Sequence, residues 1–320
     1  MHIPSVTIII PCFNASSYIE KCLSELNNQH YRDFEVICVD DASSDNTVEV
    51  IDNYKHNASF NIRIIKNESN VGPAVSRNRG VCAANTKYIT FCDSDDWYRY
   101  DYLSSMVESL EKNDADIVFC GYTVINEYGA ETKRPLLSEK EILKSNEAIV
   151  LNVDSLCMMM VKTTLMKRMQ IPDVRNGEDM AVIPLLIASS DRCVVISEPL
   201  YYYFRRTDSA SQTLSMKVVN SFIKAFEYIE ENIDNSCFQR EIEYLGIRNL
   251  LYPTIISLLT FSNDYSKANE IVNYFENKYP TWSTNVYLDK LPKYKKIVLF
   301  LIKHKMYRSV RLVAQIRKKI

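Results

Sequence analysis

Apolar and polar positions change period repeatedly from the N-terminus through residue 122. Val6 to Ile10 is a short β-branched run that stops at Pro11 and predicts a strand. Ser16 to Asn28 follows with Tyr18, Ile19, Cys22, Leu23 and Leu26 on one side, the spacing of a helix. The alternation continues with a strand over Phe34 to Val39, then a helix over Asp45 to Tyr54, with Asp45 as its N-cap, and a third strand over Ile62 to Ile65. NESNVGPAVSRNRG reads as a turn into a helix from Pro73 to Ala84, and Tyr88 to Cys92 as a fourth strand. Ile117 to Tyr122 gives a further strand, with Thr123 to Glu131 as a hairpin or edge extension. Strands alternating with helices predict a parallel sheet covered on both faces.

Beyond Ser138 the pattern becomes mostly helical. Helices are expected over Lys140 to Leu151, Asp179 to Ala188 and most of Met216 to Phe275. They are broken by a strand near Val194 and by EPLYYYFRR at 198–206, where Tyr201 to Tyr203 suggest an edge strand with aromatic packing. No internal repeat or low-complexity stretch appears. A chain of 320 residues exceeds one core of ordinary size, which divides it into an α/β domain over 1–212 and a helical region over 213–320.

Charge changes this picture at one end. Residues 290–320 hold eleven Lys and Arg and no Asp or Glu, so the −2 net charge conceals an acidic body and a basic tail. Leu299, Ile302, Met306, Val310, Val313 and Ile316 recur there at three- and four-residue intervals, with Lys303, Lys305, Arg308, Arg311 and Arg317 on other faces. That is a basic amphipathic helix, suited either to an anionic membrane surface or to packing on the acidic body or a second subunit. Nine cysteines, odd in number and without a CxxC pair, fall partly inside apolar strand runs (Cys38, Cys92, Cys120) and read as small buried hydrophobes of a reducing compartment. With no basic leader and no apolar run long enough to span a bilayer, the expected location is the cytoplasm, or its face of the plasma membrane.

The chemistry lies where strands end in acid. VICVDD closes at Asp40 and Asp41, and YITFCDSDDW at Asp93, Asp95 and Asp96. In an open α/β sheet the carboxyl ends of the strands face the ligand crevice. Three carboxylates within four residues repel one another unless water or a cation faces them. Mg²⁺ or Mn²⁺ answers that need, being held by one or two carboxylates plus substrate phosphates. A solvated acidic cap before a helix is the plainer alternative for each cluster.

SVTIIIPCFNASSYIEKCLSEL, FEVICVDDASSDNT, NVGPAVSRNRG, YITFCDSDDW and NGEDM, in that order, resemble the family 2 glycosyltransferases of GT-A fold, including bacterial polysaccharide and teichoic acid enzymes. The match runs over residues 5–206, which makes 1–212 the implied GT-A catalytic domain, a Rossmann-like sheet with a C-terminal helical extension. The resemblance implies that Asp41 reads the uracil ring, that Pro11 and Asn14 flank base and ribose, and that Asn70 and Arg77 contact the donor. It further implies Asp95 as metal ligand, Asp93 as metal or ribose contact, Asp96 as donor-sugar contact, Asp179 as catalytic base and Arg206 as a basic residue reaching the pyrophosphate from a mobile loop. Mn²⁺ or Mg²⁺ is the implied cofactor. The implied partners are a UDP-sugar and a glycan or lipid-linked glycan acceptor, without nucleic acid; the helical region offers a surface for a homo-oligomer.

Two other readings compete. A sugar-nucleotide-forming nucleotidyltransferase needs a glycine-rich phosphate loop near the N-terminus, and no glycine precedes Gly72. A catalytically inactive transferase-like scaffold in a glycan assembly complex is the non-enzymatic alternative, opposed by the intact Asp41, Asp93, Asp95 and Asp179.

Overall fold

A computed structural model of the chain describes residues 3–151, 153, 155–206 and 216–318. They form two compact units, one of Met1–Asp173 with Val182–Ser209 and one of Val174–Ala181 with Ala210–Ile320. The expected boundary at 212/213 lies outside the described residues.

The first unit is built on β1 (Val6–Cys12), α1 (Ile19–Asn27), β2 (Phe34–Asp40), α2 (Thr47–Tyr54), β3 (Asn61–Lys66), α3 (Pro73–Ala83), β4 (Tyr88–Phe91), β5 (Trp97–Tyr98) and α4 (Tyr102–Asn113). It continues with β6 (Ile117–Asn126), β7 (Glu131–Arg134), β8 (Ile142–Leu143), α5 (Ser145–Ala148), β9 (Met159–Lys162), α6 (Thr163–Met166), α7 (Glu178–Ala188) and β10 (Cys193–Arg205), with α7 beginning in the second unit. The strand order is β3-β2-β1-β4-β9-β6-β10-β5, with β7 on β6 and β8 on β10.

β3, β2, β1 and β4 are parallel as expected, with Ile9 opposite both Ile37 and Phe91. All of β2 is buried, and Val6, Ile8, Ile9 and Ile10 of β1 are fully buried, so these strands read as continuous apolar runs. β4 stops opposite Ile9, which leaves Pro11 where β1 is paired to β2 alone and a residue without an N–H is tolerated. α3 lies against β1 through Gly80, whose missing side chain makes room for Ile9.

The sheet as a whole is mixed rather than parallel. β9 runs antiparallel between β4 and β6, a four-residue strand too short and too uniformly apolar to show a period. The expected helix over Lys140 to Leu151 is instead β8 and the single turn α5. Tyr201 and Tyr202 are not at an edge: β10 is thirteen residues long and pairs with β6 on one side, while on the other these two residues pair with β5 and Cys193 and Val194 with β8; Tyr203 pairs with β6 alone. The aromatic packing of β10 is as expected, with Trp97 stacked on Tyr202.

The second unit is helical: α8 (Met216–Asn232), α9 (Asn235–Leu245), a π-helical turn at Gly246–Leu251, α10 (Tyr252–Phe261), α11 (Tyr265–Lys278), α12 (Lys293–Lys303) and α13 (Tyr307–Lys318). Phe226, Ile229, Leu258, Val272 and Phe275 are fully buried or nearly so. The basic tail is two helices rather than one, broken at Lys305 in the left-handed region (φ 55°). Leu299, Ile302 and Val310 are buried, whereas Met306 and Ile316, expected on the same stripe, are exposed. All nine cysteines are free, and all but Cys82 and Cys237 are buried. No helix among the described residues is long and apolar enough to cross a membrane.

Candidate active site

From β1 the chain moves outward to β2 and β3, then returns to place β4 on the other side of β1. That reversal is the switch point at which α/β sheets open a crevice beyond their strand ends. Three loops meet there, after β1, β2 and β4.

The first two loops are tied to each other. The Asn14 side-chain oxygen accepts from the Ser44 N–H at 2.9 Å, and the Asn14 N–H donates to the Ser43 hydroxyl at 3.0 Å. Ala15 N–H donates to Thr47 Oγ1 at 2.7 Å and Ser16 N–H to Asp45 Oδ2 at 3.1 Å. Asn14 and Ala42 sit at φ 50° and 59°, left-handed positions held in place by these bonds. Asp45 is exposed; the small cost of its burial is overcome by hydrogen bonds from Thr47 and Ser16, which hold its pKa at about 2.

Asp41 is buried and shapes the loop before α3. Its Oδ1 accepts from Asn67 Nδ2 at 2.7 Å and Val71 N–H at 2.9 Å, and its Oδ2 from Gly72 N–H at 2.8 Å. Asn67, itself buried, also donates to Ser76 and accepts from Arg79 at 2.6 Å. Asn67 was not among the expected site residues, although it shares the segment with Asn70, which is exposed. Its one readable signal is being a polar residue just past the last position of β3.

The turn after β4 carries the densest charge. Arg77, from α3, reaches Asp93 at 2.9 Å, and Arg206, just past β10, reaches Asp95 at 3.2 Å. The Arg77 side chain is 5% exposed and that of Asp93 38%, so the guanidinium is buried and the carboxylate opens outward. Arg206 also lies 4.8 Å from the ring centre of Tyr18. Asp96, expected as a donor-sugar contact, faces inward, with both oxygens engaged: Tyr201 donates to its Oδ2 at 2.5 Å and the Phe204 N–H to its Oδ1 at 2.7 Å. Burial, with Asp93 and Asp95 close by, pushes the Asp96 carboxyl well above the usual carboxylate range. Tyr201 accepts in turn from the Asp93 N–H at 3.4 Å, so one phenol joins β10 to the acidic turn. The sequence pattern gave Tyr201 only a packing role.

Asp179 belongs to the second unit, in the first turn of α7 beside Glu178, where the helix N-terminus favours negative charge. Asn176 before it is left-handed (φ 62°), and a side chain at Gly177 would meet Ala225 Cβ at 3.2 Å. The NG pair therefore turns the chain tightly onto α8, with Val174, Ala181 and Ala225 packed together.

Among the described residues, no group of three or more His, Cys, Asp or Glu could hold a metal ion alone. Asp93 and Asp95 supply two hard carboxylates that open toward solvent and are each already matched to a cation. That set fits Mg²⁺ or Mn²⁺ if phosphate and water complete the shell.

The parallel strands β3, β2, β1 and β4, with acidic loops at their switch point, place the chain among α/β folds with a ligand crevice at the strand ends, and its structural neighbours are of the GT-A fold. It is similar to Staphylococcus aureus TarS 1–349 in complex with UDP-GlcNAc, at a TM-score of 0.69 with 18% identity, covering 98% of this chain and 92% of that one. It is also similar to the mannosyltransferase PcManGT from Pyrobaculum calidifontis in complex with GDP-Man and Mn²⁺ (TM-score 0.59, 16% identity, 99% and 87% covered). The chain belongs to glycosyl transferase family 2, whose model matches residues 7–169. Among curated relatives, the putative teichuronic acid biosynthesis glycosyltransferase TuaG of Bacillus subtilis is 28% identical over 178 residues, 56% of this chain and 70% of that one.

Proposed function

We propose that this transferase is an inverting enzyme that moves a sugar from a UDP-sugar to a hydroxyl of a glycan acceptor in cell-surface polysaccharide synthesis. The observation that carries the reading is the acidic turn at the switch point, with Asp93 and Asp95 each facing an arginine. A diphosphate can enter such alternating charge by exchanging with the carboxylates as the arginines' partner. Likeness to TuaG and to UDP-GlcNAc-bound TarS supports a uridine donor and an envelope polymer.

An ionised carboxylate has about four acceptor positions. Asp41 uses three on the loop, which leaves one on Oδ2 for the imide N–H of uracil, a donor that cytosine lacks. Pro11 and Asn14 border the base and ribose, and Asn70 and Arg77 the rest of the donor. Asp93 and Asp95 would hold Mg²⁺ or Mn²⁺, which when bound supplies positive charge against the departing diphosphate. Arg206 turns to the same diphosphate and covers it, excluding water that would otherwise hydrolyse the sugar nucleotide. Asp96 keeps Tyr201 and the end of β10 against the turn, and through them the donor-sugar side of the site. Asp179 takes the acceptor proton as the hydroxyl oxygen bonds the anomeric carbon and the bond to UDP breaks on the opposite face. Lipid-linked glycan at the cytoplasmic face of the membrane is the acceptor this reading favours.

UDP release from a panel of sugar donors with Mn²⁺ tests it, in the parent and in Asp179→Asn. The expected result is turnover that falls about 10²- to 10⁴-fold in the variant. Undiminished turnover in Asp179→Asn removes the base assignment, and no turnover with any donor favours the non-catalytic scaffold.

A further inference from the structure

The helical unit contains a cavity of about 300 Å³ between α12 and residues 282–289, lined among others by Trp282, Leu288, Lys296, Phe300, Lys303 and His304. α12 has two distinct faces. Val298, Leu299 and Ile302 are buried, while helical spacing puts Lys293, Lys296, Ile297, Phe300, Lys303 and His304 on the other side. Ile297 and Phe300 are 55% and 58% exposed, so that outer face alternates large apolar groups with cations.

The cations at the cavity are lightly engaged. Lys303 donates to the Ser283 hydroxyl at 2.7 Å. Lys296 pairs with Asp289 at 3.1 Å, but that carboxylate is 96% exposed, and such pairs exchange partners at little cost. Asp289 is the one acid on the lining.

We propose that this cavity docks an anionic phospholipid headgroup at a membrane surface. Lys296, Lys303 and His304 take the phosphate, and Ile297 and Phe300 enter the boundary with the acyl chains. A soluble phosphate would use the cations and leave the exposed apolar rim without a purpose, whereas a lipid supplies both halves. Charge complementarity points the same way: residues 290–320 carry eleven Lys and Arg and no acid, on a chain otherwise in acidic surplus that an anionic surface would repel. The proposal deepens the lipid-linked reading of the acceptor, and its test needs neither donor nor acceptor.

Flotation of the full chain with vesicles of phosphatidylcholine, with and without phosphatidylglycerol, decides it. Binding is expected only to the anionic vesicles and weakens as salt rises. Lys296→Ala with Lys303→Ala should lower partitioning roughly twenty-five-fold, at about fivefold per basic side chain, and Phe300→Ser should also weaken it. Arg308→Ala with Arg311→Ala removes equal charge from α13 and should cost markedly less. Equal losses from the two pairs would mean diffuse adsorption of the tail and overturn the site, as would absence of binding. Two further outcomes also overturn it: a thermal shift with inorganic phosphate, lost in Lys303→Ala, without vesicle binding; and self-association abolished by Phe300→Ser, which gives the face to a second copy. UDP release by the same variants separates these failures from failure of the transferase reading.

Discussion

Arg206 holds Asp95 at 3.2 Å while its guanidinium lies over the Tyr18 ring, so one of the two cations facing the acidic turn comes from the far end of β10. Both side chains are about a quarter exposed, which makes the pair one that water and ligands can compete for. The repulsion expected among the clustered carboxylates is relieved in part by guanidinium groups, Arg77 at Asp93 and Arg206 at Asp95, and what remains falls on Asp96, whose carboxyl is raised by burial and by Asp93 and Asp95 beside it. On the proposed reading, a divalent ion held by Asp95 would compete with Arg206 for the carboxylate, and a guanidinium released there would be available to phosphate.

Arg206→Ala should raise the affinity of the donor-free protein for Mn²⁺ severalfold while lowering its affinity for UDP. Asp95→Asn should weaken Mn²⁺ binding roughly tenfold, or about 1.4 kcal/mol. Calorimetric titration with Mn²⁺ alone and then with UDP measures both. Unaltered Mn²⁺ affinity in Arg206→Ala would mean that ion and guanidinium do not share the carboxylate.

Gly80→Ala tests how α3 is seated on β1. A Cβ at this position would lie 2.4 Å from Ile9 Cγ2 and 3.2 Å from Cγ1, within the fully buried core. Alanine gains about 1 kcal/mol in helix propensity. Overpacking a stiff β-branched neighbour costs about 1–3 kcal/mol, so a net loss is expected. Ile9→Ala in the same chain removes the obstructing atoms, and denaturant unfolding should show the double variant to be less destabilised than the two single losses combined.

The parts of this architecture that the sequence reveals are those governed by local periodicity. β1 to β4 and their helices follow from alternating apolar runs, and the acidic residues fall where each run ends. β9 escapes because Met159 to Lys162 is short and apolar without a period, and its antiparallel placement depends on partners in β4 and β6. The tail reads as one helix because the apolar spacing runs straight through Lys305, while the break depends on a single left-handed backbone angle. Candidate site residues at strand ends (Asp41, Asp93, Asp95) are legible by position, because each apolar run stops where the acids begin. Tyr201 and Asn67 act through contacts with residues distant in sequence or around a turn, and no spacing announces them.

Asp41→Asn should reduce discrimination between uracil and cytosine nucleotides. The substitution replaces one carboxylate oxygen with an NH₂ group that cannot accept, either from the loop N–H groups or from a uracil imide. Losing a buried acceptor costs about 1–3 kcal/mol, so UDP binding should fall about five- to a hundredfold, and CDP binding less. Asn67→Ala leaves the carboxylate but loosens its loop, and should weaken both nucleotides alike. Competition titrations with UDP and CDP distinguish the two effects; equal losses in Asp41→Asn would remove Asp41 from base recognition.

The bridge between the first two loops should be sensitive to acid through Asp45. Its carboxyl, held at about pH 2 by Thr47 and Ser16 in spite of the cost of burial, titrates lower in the folded chain than in the unfolded one. A depressed folded-state pKa means that the contribution to stability is complete above the unfolded value near 3.9 and is lost as pH falls toward 2. Asp45→Asn should thus be less stable than the parent at pH 7, with the gap closing between about pH 4 and 2. Urea midpoints at pH 7, 5, 4 and 3 follow the convergence. A gap that stays constant down to pH 3 would show that the carboxylate's charge contributes nothing to joining Ser16 and Thr47, and that the loops are held by Asn14 and the Thr47 hydroxyl instead.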